Sequence, residues 1–202
     1  MKKIAVTQRL GVSKYGELRA QIDIRLINFI SKCGYHPVTV PFFEGKSKLI
    51  IKRKLLKWFK DMDLSGVVLS GGEDIGKYKL RDVTEEILIT YSIKKKIPIF
   101  GICRGMHVLG KYFNVKLVKV KKHVKVNHYV FSKKNKLIVN SYHNFSLTKC
   151  PKNFEIEYKS SDGHIESIVS KGFKIYACMW HPERYKKFKI MDIKKFKTLF
   201  TK

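Results

Sequence analysis

Residues 97–110 read Ile-Pro-Ile-Phe-Gly-Ile-Cys-Arg-Gly-Met-His-Val-Leu-Gly. An apolar run ends at a corner with glycine two residues to either side of a cysteine, and helical spacing follows. A continuous apolar run of this length reads as a strand buried on both faces, and such strands belong to parallel sheets covered by helices. The corner then has to turn the chain straight from strand into helix, which needs small flanking residues.

The rest of the first half repeats that unit. Residues 4–6, 37–40 and 66–70 read as short apolar strands. Between them, 15–32 has helical spacing, with Leu18, Ile22, Leu26, Phe29 and Ile30 on one face and Gly34 as the stop. Residues 47–60 read as a basic amphipathic helix buried through Leu49, Leu55, Leu56 and Phe59, and 83–93 read as helical. Beyond residue 115 the pattern changes to closely spaced strands at 117–118, 137–139, 154–156, 167–169 and 175–178, with a final helix over 191–200. The expectation is an α/β fold: a mainly parallel sheet with helices on both faces, as one domain over 1–202. That length supports one sizeable core.

No apolar run approaches the roughly 20 residues needed to span a bilayer. The basic N-terminus has too short an apolar segment for a secretory signal. Cysteines stand at 33, 103, 150 and 178 with no CxxC pair, which excludes a zinc ribbon or thioredoxin-type motif. A cytoplasmic protein with reduced thiols is expected. The net charge of +27 favours anionic ligands. Only seven of the 43 basic residues are arginine, and the lysines are spread over the whole chain, which argues against nucleic-acid binding. No membrane partner is expected.

Gly101-Ile102-Cys103-Arg104-Gly105 has the form of a nucleophile elbow. At the N-terminus of the following helix, backbone N–H groups and the helix dipole favour a thiolate and an oxyanion. Of seven histidines, His181 has the best context, at the end of a strand and in His181-Pro182-Glu183. In extended backbone His-x-Glu puts both side chains on one face, with Pro182 holding the dipeptide extended. The expectation is a Cys103-His181-Glu183 triad in which Glu183 holds the imidazole. No cofactor is expected. No metal is expected either, since His123 and His128 are five apart and would face opposite sides of a continuous strand.

The elbow, Ser70-Gly71-Gly72-Glu73-Asp74 and Trp180-His181-Pro182-Glu183, in this order, resemble class I glutamine amidotransferases. The resemblance implies a flavodoxin-like, doubly wound fold and hydrolysis of a γ-glutamyl amide through a thioester, with an oxyanion hole from the N–H of Arg104 and of Gly72, or else Gly71. Cys103-Arg104-Gly105-Met106 resembles the γ-glutamyl hydrolase branch, although His107 stands where that branch commonly has glutamine. Asn140-Ser141-Tyr142-His143-Asn144 resembles its site-lining segment, implying Asn140, Tyr142 and His143 in the pocket. The segment 162–168 resembles a hairpin whose Glu166 contacts the glutamate amine, and Asp162-Gly163 is also explained as a plain β-turn. Residues 5–10, 15–19 and Asp23 are similar to small bacterial hydrolases of capsule phosphoramidate synthesis, whose substrate is γ-glutamyl-CDP-amidate. This implies an anionic small-molecule substrate contacted by Arg9, Glu17, Arg19 and Asp74, the arginines binding phosphate in bidentate fashion. Glu17 and Arg19 also fit a solvent-facing helix surface. The expected activity is cysteine-dependent release of glutamate from that substrate. Two alternatives fit the same chain: a glutaminase subunit supplying ammonia to a partner synthetase, and a non-catalytic basic binding protein on the same scaffold.

Overall fold

The computed structural model describes residues 1–201. In chain order its elements are β1 (Lys3–Val6), β2 (Arg9–Val12), β3 (Leu18–Gln21), α1 (Ile24–Lys32), β4 (His36–Thr39), α2 (Lys48–Asp61), β5 (Leu64–Leu69), α3 (Lys79–Lys95), β6 (Ile99–Ile102) and α4 (Arg104–Tyr112). There follow β7 (Leu117–Lys119), β8 (Val124–Phe131), β9 (Lys136–Tyr142), β10 (Phe145–Leu147), β11 (Phe154–Ser160), β12 (Ile165–Ser170), β13 (Ile175–Cys178) and α5 (Ile190–Thr201).

Nine strands form one sheet in the order β4-β1-β5-β6-β13-β12-β11-β8-β9. From β4 to β13 neighbours run parallel, and from β13 to β9 they run antiparallel. The α/β architecture is as expected, but the sheet is mixed rather than mainly parallel. Parallel neighbours need long crossovers, and the strands after residue 115 are too closely spaced to supply them.

Helices cover both faces. On β5, Gly66 faces the Phe200 ring of α5, while Leu69, three residues on and therefore on the other face, abuts Gly105 of α4. α1 joins α5 through edge-to-face Phe29 and Phe196, 5.5 Å apart. Both rings are fully buried, and truncating either costs about 3–5 kcal/mol. Ser47 caps α2 by accepting from Ile50 N, and Asp23 caps α1 by accepting from Arg25 N, each worth about 1 kcal/mol.

The expected helix over 15–32 is corrected. Its first part is the β2–β3 hairpin, and α1 begins only after Asp23. Leu18 therefore lies exposed on a strand. In α2, Leu49 is exposed and Ile51 takes its place in the core. No described helix is long and apolar enough to cross a membrane.

Candidate active site

The carboxyl ends of β5, β6 and β13 lie side by side, and the glycine-rich turns leave from that edge. β6 ends at Ile102, and Cys103 takes φ 50°, ψ −103°, a conformation side chains rarely adopt. Its N–H is held at 2.7 Å by the Cys178 carbonyl of β13, and α4 starts with the next residue. Gly105 is demanded by the corner, because a Cβ there would lie 2.3 Å from the Leu69 carbonyl oxygen. Gly71 is demanded by His181, whose Cε1 would lie 2.6 Å from an added Cβ. Gly72 has φ +146° and sits against the side chains of Arg81 and Arg9.

After β13 the chain reaches His181, and Pro182 opens a 3-10 turn over Pro182–Arg184. This differs from the expected extended dipeptide. Proline at the first position of a turn has its φ preset and no N–H to satisfy. The turn folds Glu183 back, and its Oε1 lies 2.6 Å from His181 Nδ1. Both residues are buried. Burial alone would lower the His181 pKa. The charges of Glu183 and of Cys103 outweigh that and raise it to about 9, so the ring holds its proton at neutral pH.

The turn is also held from the other side of the sheet. Asn140 donates from Nδ2 to the His181 carbonyl at 2.9 Å and accepts at Oδ1 from the His181 N–H at 2.8 Å. Tyr142 places its ring edge-to-face on the imidazole, with centroids 5.7 Å apart. The Arg184 guanidinium lies over the same tyrosine ring.

Beneath the Gly71-Gly72 turn is a buried ionic network that sequence reasoning missed. Arg81 is fully buried and bonds Glu73 at 2.8 Å, Glu85 at 3.0 Å and the Ser70 carbonyl at 2.9 Å. Arg104 points its side chain down to Glu85 and Asp82. Arg81 and Glu85 form an i, i+4 pair, a pattern that along a chain reads as a solvated helix face. The approach of α4 buries it here.

Other expected site residues fall in different places. Arg9 borders a small concavity with Asp23, Gly71 and Glu183. Glu17 and Arg19 pair with each other, both more than half exposed, on the β2–β3 hairpin. Asp74 is exposed, and its neighbour Glu73 makes the contacts, to Arg81 and to Leu10 N at 3.3 Å. His107 lies inside α4, with Nε2 2.9 Å from the Phe145 carbonyl. Burial lowers its pKa to about 4, so it is neutral and donates that hydrogen bond. His143 and Glu166 meet each other, 3.3 Å apart, beside His123.

The expectations of a Cys-His-Glu triad, a cysteine nucleophile and a thioester intermediate are corrected. The buried cluster of potential ligand groups is His123, His143 and Glu166, with ligand atoms within 4.8 Å of one another, and no cysteine lies near it. With these expectations falls the main one, cysteine-dependent release of glutamate from γ-glutamyl-CDP-amidate.

The comparisons with known proteins agree at the level of family. A γ-glutamyl-CDP-amidate hydrolase of Campylobacter jejuni is 36% identical over 127 residues, covering 60% of this chain and 63% of the relative. A glutamine-hydrolyzing GMP synthase of Borreliella burgdorferi is 28% identical over 187 residues, covering 88% of this chain and 33% of the relative. The chain thus spans less than two thirds of the length of these relatives. A GMP synthase-type protein of Thermoplasma acidophilum, known from its crystal structure, superposes with a TM-score of 0.74 at 22% identity, over 100% of this chain and 93% of that one, a likeness of fold. The family described as Glutamine amidotransferase class-I matches residues 19–194, and the chain belongs to it.

Proposed function

We propose that this chain is a glutaminase that releases ammonia from a small γ-glutamyl amide, glutamine in the simplest case, for a partner synthetase. The observation that carries the reading is the buried His181–Glu183 pair at the elbow, beside Cys103 and against Gly71. An imidazole kept charged by a carboxylate 2.6 Å away is suited to protonating a leaving amide nitrogen. In this proposal the N–H groups of Arg104, at the start of α4, and of Gly72 or Gly71 take the developing oxyanion. Cys103, His181 and Glu183 line the reacting end. Asn140 and Tyr142 position His181, and Arg9 is at the rim.

The substrate class is supported by the likeness of Asn140-Ser141-Tyr142-His143 to the γ-glutamyl hydrolase branch and by the Campylobacter relative. Coupling to a synthetase is supported by the GMP synthase relative. The test is glutamate and ammonia release from glutamine, with γ-glutamyl-CDP-amidate as the comparison compound. Release from glutamine that rises when an ammonia-consuming synthetase of the GMP synthase type is added, and disappears in His181→Asn, supports the reading. No release from glutamine with the synthetase present, or full activity in His181→Asn, overturns it. Cys103→Ala reports separately on whether the thiol takes part.

A further inference from the structure

Three Lewis-basic atoms converge among buried side chains. His123 Nδ1 is 3.3 Å from His143 Nε2 and 3.4 Å from Glu166 Oε1, and His143 Nε2 is 3.3 Å from that same oxygen. The three atoms form a nearly equilateral triangle. Ligands at about 2.0–2.1 Å from a tetrahedral zinc ion stand about 3.3–3.4 Å apart. A hydrogen bond between an imidazolium and a carboxylate would be shorter, about 2.7–2.9 Å. Both oxygens of Glu166, a side chain with no exposed surface, lack a hydrogen-bond partner.

The proton positions sharpen this. His143 donates from Nδ1 to the Phe145 carbonyl at 2.9 Å, and His123 reaches Asp162 Oδ2 through Nε2 at 3.0 Å. Each ring thus spends its N–H outward and turns its lone pair inward. With both rings neutral, their two lone pairs and the Glu166 carboxylate are three donors aimed at one point. The Asp162–His123 contact is the outer carboxylate that orients metal-bound histidines. His128 stands next to the triangle, its Nε2 unpartnered and 3.5 Å from the second Glu166 oxygen.

We propose that His123, His143 and Glu166 bind one divalent transition-metal ion of the zinc type, with the fourth position open to water or His128. The ion would tie the β8–β9 hairpin to β12. It would also stiffen the wall of the elbow, since the Phe145 carbonyl that orients His143 accepts from His107 of α4 as well. The proposal does not depend on the glutaminase reading, because its test measures metal and not turnover.

The full chain is stripped with chelator, reloaded with zinc ion alone, and assayed for retained metal and thermal midpoint. One zinc per chain and a raised midpoint are expected, and cobalt in its place should give the intense visible absorption of a tetrahedral site. Asp162→Asn, half-exposed and in a turn, leaves the fold intact and should weaken zinc binding by about 10–100-fold. Glu166→Gln should abolish stoichiometric retention. Substoichiometric zinc in the wild type overturns the proposal. So does wild-type retention in both variants, which would place the ion elsewhere.

Discussion

The carboxamide of Asn140 grips both backbone groups of His181, one at 2.9 Å and the other at 2.8 Å. Asn140 lies on β9, at the edge of the sheet, and His181 follows β13 in its middle. The clasp therefore bypasses three intervening strands and sets the height of the imidazole over the elbow. Asn140→Ala leaves a buried N–H and a buried carbonyl unsatisfied. A loss of about 2–4 kcal/mol is expected, at about 1–2 per bond, measured as a drop in the urea midpoint. Glutamine hydrolysis should fall more than stability does.

His181 makes stability depend on pH. Its folded pKa is raised, from 6.5 to about 9, so the folded chain binds more protons than the unfolded one between those values. The contribution is complete below pH 6.5 and lost as pH rises through 9. Urea midpoints of the wild type should fall from pH 6.5 to pH 9, and the fall should be smaller in Glu183→Gln. An imidazole that titrates near 6.5 by NMR would contradict this.

His107 works in the opposite sense. Its folded pKa is lowered to about 4, so the unfolded chain binds the extra proton and stability falls as pH drops from 6.5 towards 4. His107→Gln keeps a donor for the Phe145 carbonyl and removes the titration. It should be within about 1 kcal/mol of the wild type at pH 7 and more stable than it at pH 5, measured by thermal denaturation at both values.

Glu85 is shared by two buried guanidiniums, those of Arg81 and Arg104. Glu85→Gln strips the central charge from the network under the Gly71-Gly72 turn. A loss of about 3–5 kcal/mol is expected, as for other broken buried pairs, read from chemical unfolding. A change below about 1 kcal/mol, the range of exposed pairs, would show the network to be solvated.

Gly71→Ala tests the contact between the turn and the imidazole. The new Cβ would stand 2.6 Å from His181 Cε1, so the ring must move. Turnover should fall at least tenfold while stability drops by about 1–3 kcal/mol, the usual cost of overpacking. Comparing the His181 resonance in the two proteins separates displacement of the ring from general unfolding.

Local patterns made much of the molecule legible. Continuous apolar runs identified β1, β5 and β6, and the 3.6-residue spacing identified α2 and α5 to within a residue or two. The hairpin over residues 9–21 was not legible, because Leu18 and Ile22 continue the spacing of α1 across a turn. The buried Arg81–Glu85 pair was not legible for a related reason, since exposed and buried salt bridges have the same spacing. A Cys-His-Glu mechanism followed naturally from motif order, but motif order says nothing of where buried charges gather. His123, His143 and Glu166 gather in one place, and Arg81, Glu85 and Arg104 in another.

His123, a member of the first of these clusters, and His128, beside it, show where sequence stops. On a regular strand His123 and His128, five apart, point to opposite faces. In the fold their rings meet with centroids 4.7 Å apart. The register slips between Val124 and Val126, where Lys125 takes φ 57°. This bulge inserts one residue and reverses the alternation of faces. By itself the sequence determined the α/β class, the glycine-flanked corner at Cys103 and the family, because these rest on local periodicity and on contiguous motifs. Only the tertiary structure decided the strand order of the sheet, that Asn140 holds His181, and that His123, His143 and Glu166 come together. Those outcomes depend on pairing register and on contacts between segments far apart in the chain, which no local pattern encodes.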